Sequence, residues 1–120
     1  MRDHERLNRT VIVPLPAEID IANAADVGEQ LCAAFAPGVT VVIADMSSTT
    51  FCDCSGAWQL ILAHKRAVAS NRVLRAVVPS AGVLRVLAIL GVDHVLEIYP
   101  GLAEALAAGP APASKSDGPG

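Results

Sequence analysis

The chain has 120 residues, of which 52% are hydrophobic and 3% aromatic, and its formal net charge is −3. This length fits one domain, and the apolar fraction is sufficient for a core without disulfides or metals. Because the charge balance is acidic, nucleic-acid binding is disfavoured. No apolar run approaches the roughly 20 residues of a membrane span, and the charged start of the chain is unlike a secretory signal. We therefore expect a cytoplasmic protein that does not insert into a membrane.

Strand and helix patterns alternate along the chain. β-Branched runs, of which Val39–Ala44 is the strongest, predict strands buried on both faces. Apolar residues spaced by threes and fours predict the helices. Pro14 and Pro16 lack backbone donors, so the first strand is predicted to lie at an edge or to be interrupted. The first predicted strand begins at residue 11, and the other three cover residues 39–44, 73–78 and 95–99. The predicted helices cover residues 24–36, 55–71, 82–90 and 102–107.

This alternation predicts an α/β fold. We expect a mixed sheet of four to five strands, with about four helices packed mainly on one face. Residues 10–107 form the predicted domain, and residues 1–9 are a predicted flexible N-terminus. Residues 108–120 are a predicted disordered tail, because a segment rich in Gly and Pro buries too little apolar surface to become ordered. We expect a monomer or a weak dimer.

The segment Phe51–Gly56, with the sequence Phe-Cys-Asp-Cys-Ser-Gly, is the most informative part of the chain. It follows a turn rich in Ser and Thr and leads into the helix predicted at 55–71. Hydroxyl, thiol and carboxylate groups are thereby placed at a helix N-terminus, where free N–H groups and the helix dipole favour negative charge. Asp53 and Ser55 are both candidates for the helix N-cap. The pattern predicts a site where a phosphate or a thiolate acts as a switch.

Three motifs resemble the STAS domain family, the anti-sigma factor antagonists, over roughly residues 11–107. Residues 17–24, Ala-Glu-Ile-Asp-Ile-Ala-Asn-Ala, are similar to the family's Gly-Glu-(Leu/Ile)-Asp segment before its first helix. Residues 41–45 followed by Phe51–Gly56 resemble the family's strand, loop and Asp-Ser-(Ser/Thr)-Gly phosphorylation motif. The third motif is Pro79-Ser80 with the apolar helix after it, ending in Leu-Gly-Val at 90–92. Their order and spacing imply a single STAS-like domain.

The resemblance implies a bacterial regulator of transcription, with a role in stress response, that works by partner switching and is not an enzyme. Family members bind an anti-sigma factor of the serine-kinase type and free a sigma factor, and phosphorylation of the first motif Ser dissolves the complex. By this resemblance, the residues expected to bind the partner are Glu18, Asp20, Asp53, Gly56 and Trp58. Neither a cofactor nor a metal is implied.

The chain departs from the family at the phosphoacceptor position, where Cys54 replaces Ser and only Ser55 keeps a hydroxyl. Cys54 can preserve the binding surface while blocking phosphorylation, which would leave a constitutively active antagonist. It can instead be a redox switch, since a helix N-terminus favours the thiolate, or a packed small residue with Ser55 as the acceptor. Cys52 shares a side with Cys54 if the segment is extended, so the two form a candidate redox pair. A buried, apolar-like role is the simpler expectation for Cys52.

Two further functions stay open at this point. A STAS accessory subunit of a membrane transporter would dock on a transport protein without phosphorylation. A redox-sensing STAS regulator would use Cys52 and Cys54. No metal site is predicted, because a Cys-x-Cys segment without a second ligand pair or clustered His is not a metal signature.

Overall fold

The computed structural model describes residues 9–109, so most of the predicted flexible N-terminus and of the predicted tail lies outside the described residues. None of the described helices is long and apolar enough to cross a membrane. A 3₁₀ turn, Val92–His94, precedes the last strand. The elements in chain order are β1 (Arg9–Pro14), β2 (Glu18–Ile19), α1 (Ala24–Ala34), β3 (Val39–Asp45), β4 (Phe51–Cys52), α2 (Cys54–Ala69), β5 (Val73–Val77), α3 (Ala81–Ile89), β6 (Glu97–Tyr99) and α4 (Leu102–Ala107).

The main sheet has four strands in the order β1-β3-β5-β6, and each neighbouring pair is parallel. The α/β fold, the four helices and the strand number of the main sheet are as predicted, but its mixed character is wrong for the described residues. A helix follows each of the first three strands of this sheet and returns the chain to the same end, which makes the next strand parallel. The strand β1 lies at an edge, as its prolines predict.

Helices cover both faces of the sheet, although unequally. On one face Val42, Ala44 and Leu74 belong to the larger core cluster, which also contains buried residues of α1, α2 and α3. On the other face Val41 and Ile43 belong to a smaller cluster that includes the α4 residue buried there, Ala105. Three helices on one face and one on the other confirm the predicted packing, and burial on both faces explains the nearly continuous apolar sequence of β3.

A second, two-stranded sheet pairs β2 with β4 in parallel, and the sequence did not predict it. Glu18 lies opposite Phe51, and Ile19 lies opposite Cys52. Threonine side chains support this pairing, since the buried Thr49 Oγ1 donates to the Pro16 carbonyl oxygen at 2.8 Å. The small sheet therefore ties the loop after β1 to the loop after β3.

The buried face of α2 consists of small residues and one leucine. Trp58 and Val68 lie off this face and are 51% and 55% exposed. Helix α2 packs against α1, and the Gln59 side chain of α2 lies against Gly28 of α1. The buried residues of α2 are Gly56, Ala57, Leu60, Ala63 and Ala67.

Arg75 is the one buried charged side chain among residues 9–109, with 2% exposure. Its Nε donates to Glu97 Oε1 at 2.9 Å, and its Nη1 donates to the carbonyl oxygen of Ala105 at 3.2 Å. The hydroxyl of Tyr99 donates to the same Glu97 oxygen at 2.8 Å. This network joins β5, β6 and α4.

Replacing Arg75 with methionine is expected to lower the free energy of unfolding by about 3 kcal/mol, because Glu97 then loses its buried cation. The double variant Arg75→Met with Glu97→Leu should recover most of that loss, since it removes both charges. Urea unfolding of the two variants and the wild type measures the difference. A single variant as stable as the wild type would contradict this role of the ion pair.

Candidate functional site

The candidate site lies where α2 begins on the small sheet. The strand β4 leads directly into Asp53, whose backbone N–H donates to the Ile19 carbonyl oxygen at 3.1 Å. Asp53 has an extended backbone (φ −96°, ψ −172°), and the helix begins at the next residue, Cys54. The local chain path therefore makes Asp53 the N-cap.

The Asp53 carboxylate holds the first turn of α2 together. Its Oδ1 accepts the backbone N–H of Ser55 at 2.9 Å, the N–H of Gly56 at 3.2 Å and the Ser55 hydroxyl at 2.6 Å. The hydrogen bond from the Ser55 hydroxyl is the largest influence and lowers the pKa of Asp53 below its ordinary value. Desolvation opposes it, and the two backbone N–H bonds add to the lowering. Of the two N-cap candidates, Asp53 occupies the position, and Ser55 is the second residue of the helix.

Cys54 and Ser55 have different surroundings. Cys54 is the first residue of α2 and is exposed, whereas Ser55 is half-buried and donates its hydroxyl to Asp53. A partner that approaches the helix N-terminus can therefore reach the side chain at position 54 more readily than the one at position 55. The thiol of Cys54 and the hydroxyl of Ser55 therefore differ in accessibility.

Cys52 is buried at 2% exposure, and its thiol donates to the Asp53 carbonyl oxygen at 3.5 Å. Burial, and next the charges of Asp53 and Cys54, raise the pKa of Cys52 to about 11. The group is thus a neutral thiol at physiological pH and a poor nucleophile. Of the candidate redox pair, one thiol is in the core and the other faces solvent, and both are free.

Gly56 is required by close packing. A Cβ at this position would lie 2.6 Å from Ile19 Cγ2 and 2.8 Å from Cys52 Sγ. Both atoms belong to the small sheet, so the absence of a side chain lets α2 rest directly on β2 and β4. In this structure Gly56 has a packing role, and its predicted partner contact stays a prediction.

The first motif lies beside the second because β2 pairs with β4. Glu18 is exposed and stands opposite Phe51. Asp20 Oδ1 accepts the N–H of Ala22 at 2.9 Å, and Asn23 Oδ1 accepts the N–H of Asp20 at 3.0 Å. Asp20 thus orders a turn before α1, whose N-cap residue is Asn23.

Exposed apolar side chains accompany these polar groups. Ile21 is 84% exposed, Phe51 50% and Trp58 51%. Trp58 lies four residues after Cys54, so the two share a face of α2. We call Glu18, Ile21, Phe51, Cys54 and Trp58 the docking face, since large exposed apolar groups beside polar ones are typical of protein-binding surfaces.

Sequence reasoning named Trp58 but missed Ile21 and Phe51. Phe51 points outward because its neighbour Cys52 points into the core, and the two-residue strand that sets this alternation is too short to be recognised as a pattern. Among residues 9–109 no group of three or more His, Cys, Asp or Glu could hold a metal ion.

Comparison with known proteins points to one family. The model of the STAS domain matches residues 2–105. No curated protein matches the chain significantly.

Solved structures share the fold at low identity. A putative anti-sigma factor antagonist of Thermotoga maritima has a TM-score of 0.72 and 21% identity, over 85% of this chain and 92% of that one. The anti-sigma factor antagonist SpoIIAA, unphosphorylated, has a TM-score of 0.63 and 19% identity, over 84% and 88%. The murine anion transporter Slc26a9 has a TM-score of 0.70 and 19% identity, over 83% of this chain and 17% of the transporter. At these identities the likeness is one of fold.

Replacing Gly56 with alanine is expected to lower the free energy of unfolding by about 1–3 kcal/mol, because the new methyl group overlaps Ile19 and Cys52. The matched control is Gly82→Ala in α3, where the nearest atom to the new Cβ is Ser80 Oγ at 3.9 Å. That change should raise stability by about 0.5–1 kcal/mol through helix propensity. Equal effects of the two changes in urea unfolding would contradict the close contact.

The stabilisation by Asp53 is expected to depend on pH. Its pKa is lower in the folded than in the unfolded state, so the unfolded state takes up the proton first. The contribution is therefore full at neutral pH and is lost as the pH falls below about 4. The difference in Tm between the wild type and Asp53→Asn should be largest at neutral pH and shrink in acid. A difference that does not change with pH would contradict this account.

Proposed function

Because the chain belongs to the STAS domain family, we propose that it is an anti-sigma factor antagonist that binds an anti-sigma factor of the serine-kinase type. The observation that carries this proposal is the capped helix N-terminus at Asp53, which presents residue 54 to solvent beside exposed apolar groups. This geometry suits recognition by another protein. Two of the solved structures that share the fold are described as anti-sigma factor antagonists, one of them putative.

The docking face supplies the chemistry that such a partner requires. Trp58 and Phe51 offer large apolar surfaces that lose water on binding, and aromatic side chains of this kind often dominate interface energies. Glu18, Asp20 and Asp53 add negative charge around them. We therefore expect the partner to contribute an apolar surface edged by basic groups.

Cys54 would remove the off-switch and leave the binding surface intact. A serine kinase transfers phosphate to a hydroxyl, and the exposed side chain at position 54 carries a thiol instead. Phosphate on Ser55 would add about −1.5 to −2 charges directly beside the Asp53 carboxylate and would break the 2.6 Å hydrogen bond between the two side chains. Both effects oppose Ser55 as an efficient acceptor.

A redox switch between Cys52 and Cys54 is less well supported. The raised pKa of Cys52 and its burial oppose attack by its thiolate on an oxidised Cys54. The sulfur of Cys52 packs against Gly56, and the contact leaves no room for a Cβ at residue 56. We therefore propose a constitutively active antagonist in preference to a thiol sensor.

Affinity capture from the source cells with the full chain tests the partner. Recovery of a small ATP-binding anti-sigma kinase would support the proposal. Recovery of membrane permease subunits would instead assign the chain to a transporter, an alternative favoured by the fold likeness to an anion transporter. Trp58→Ala should reduce the affinity for the kinase by about tenfold or more. Val68→Ala, similarly exposed on the same helix but far from its N-terminus, is the matched control.

Incubation with the recovered kinase and Mg·ATP tests the switch. Intact-mass measurement should show no phosphate on the wild type, or a sub-stoichiometric amount on Ser55, and one phosphate on Cys54→Ser. The Cys54→Ala variant should behave like the wild type, which shows that the hydroxyl is what matters. Full phosphorylation of the wild type that disappears in Ser55→Ala would refute the constitutive antagonist while leaving partner binding intact.

A further inference from the structure

The strand β6 is last in the order β1-β3-β5-β6, so one of its edges pairs with no other strand among residues 9–109. The carbonyl oxygen of Tyr99 accepts the N–H of Val78 at 2.9 Å, so the polar backbone groups of Tyr99 face the β5 side. Backbone groups of consecutive residues point to opposite edges of a strand, so the N–H and C=O of Ile98 point to the open edge. Pro100 follows with no N–H. The N–H of Leu96 donates to the Val92 carbonyl oxygen at 3.1 Å, so the edge offers the N–H and C=O of Ile98 to an added strand.

A cavity of about 350 Å³ runs along this edge, and all three residues of β6 line it. Glu97 and Tyr99 belong to the face of the sheet that carries α4, whereas Ile98 packs against the larger core on the opposite face. The lining runs from Asp93 before the strand to Pro100 after it, so the cavity extends beside the whole length of β6. We call this cavity the β6 groove.

The lining of the β6 groove combines apolar side chains with carboxylates. Leu84 of α3 forms an apolar wall and is 38% exposed, and Leu96 adds to the floor. The carboxylates of Asp93 and Glu97 also line the groove, and no lining residue is basic. Glu97 pairs with Arg75 at 2.9 Å, whereas Asp93 is exposed with His94 Nε2 at 3.9 Å, so Asp93 is the carboxylate more available to an incoming cation.

We propose that the β6 groove binds an extended segment of a partner protein, which adds to β6 as a further strand. Strand addition of this kind supplies main-chain hydrogen bonds, and side-chain pockets beside the edge select the sequence. An apolar side chain of the segment packs on Leu84, and a Lys or Arg lies beside Asp93. A second copy of this chain fits less well, because its β6 groove has no basic residue to lie beside Asp93.

The β6 groove is separate from the docking face, since the two share no residue. An antagonist that holds its kinase through the docking face thus keeps a second surface free for another protein. The proposal does not depend on the identity of the partner at the docking face.

A capped, fluorescein-labelled hexapeptide that alternates valine and arginine is the probe, and the full chain is the target. Two control peptides replace arginine with glutamate, or carry N-methyl groups that remove the ladder donors. Anisotropy should show affinities on the order of tenfold weaker for both controls. Amide resonances of Ile98, Tyr99 and Asp93 should shift with the arginine peptide, and those of Cys54 and Ser55 should not.

Variants of residues that line the β6 groove test whether the arginine peptide binds there. Leu84→Gln should weaken the arginine peptide by about tenfold, whereas Ile89→Gln, a more exposed apolar residue of the same helix outside the groove, should not. Asp93→Asn should weaken it roughly threefold, as expected for an exposed charge pair. Equal binding of the three peptides, or equal effects of the two glutamine variants, would overturn the proposal. Concentration-dependent shifts at Ile98 without peptide would assign the edge to a second copy and overturn it equally.

Discussion

The contact between Gly56 and the small sheet is the constraint on which the site depends. Because residue 56 has no side chain, the first turn of α2 lies directly against Ile19 and Cys52. That contact sets the distance between the N-terminus of α2 and β2, and the Asp53 cap then orders the first turn of α2. A helix start defined in this way presents residue 54 to solvent and keeps Ser55 against the capping carboxylate.

The replacement of Ser by Cys at position 54 is compatible with this arrangement. Neither the cap nor the close contact uses the side chain of residue 54, which is exposed. The hydroxyl of Ser55, by contrast, is part of the cap and contributes to the low pKa of Asp53. The fold therefore does not require a hydroxyl at the exposed position 54.

The main strands and helices were predictable because each is long enough to show its period. Val39–Asp45 is β-branched along most of its length, and α3 begins after Pro79-Ser80 as expected, with Ser80 as its N-cap. The parallel direction of every main-sheet pair also follows from strand–helix alternation, and the expected mixed sheet ignored that constraint. The small sheet could not be predicted from the sequence, because two-residue strands show no periodic pattern. Its pairing depends on contacts between distant segments, such as the one between Thr49 and Pro16.

The sequence by itself determined the α/β class, the order of the elements, and the place of the Asp-Cys-Ser-Gly motif at a helix start, because these follow from local periodicity and capping chemistry. Only the tertiary structure decided which side of α2 is buried, since the helix packs through its glycine, alanines and one leucine and leaves Trp58 exposed. It also decided that Asp53, not Ser55, caps the helix, and that Cys52 is buried while Cys54 faces solvent. Those outcomes depend on how β2, β4 and α2 meet, and no local pattern records contacts between segments that lie some 30 residues apart along the chain.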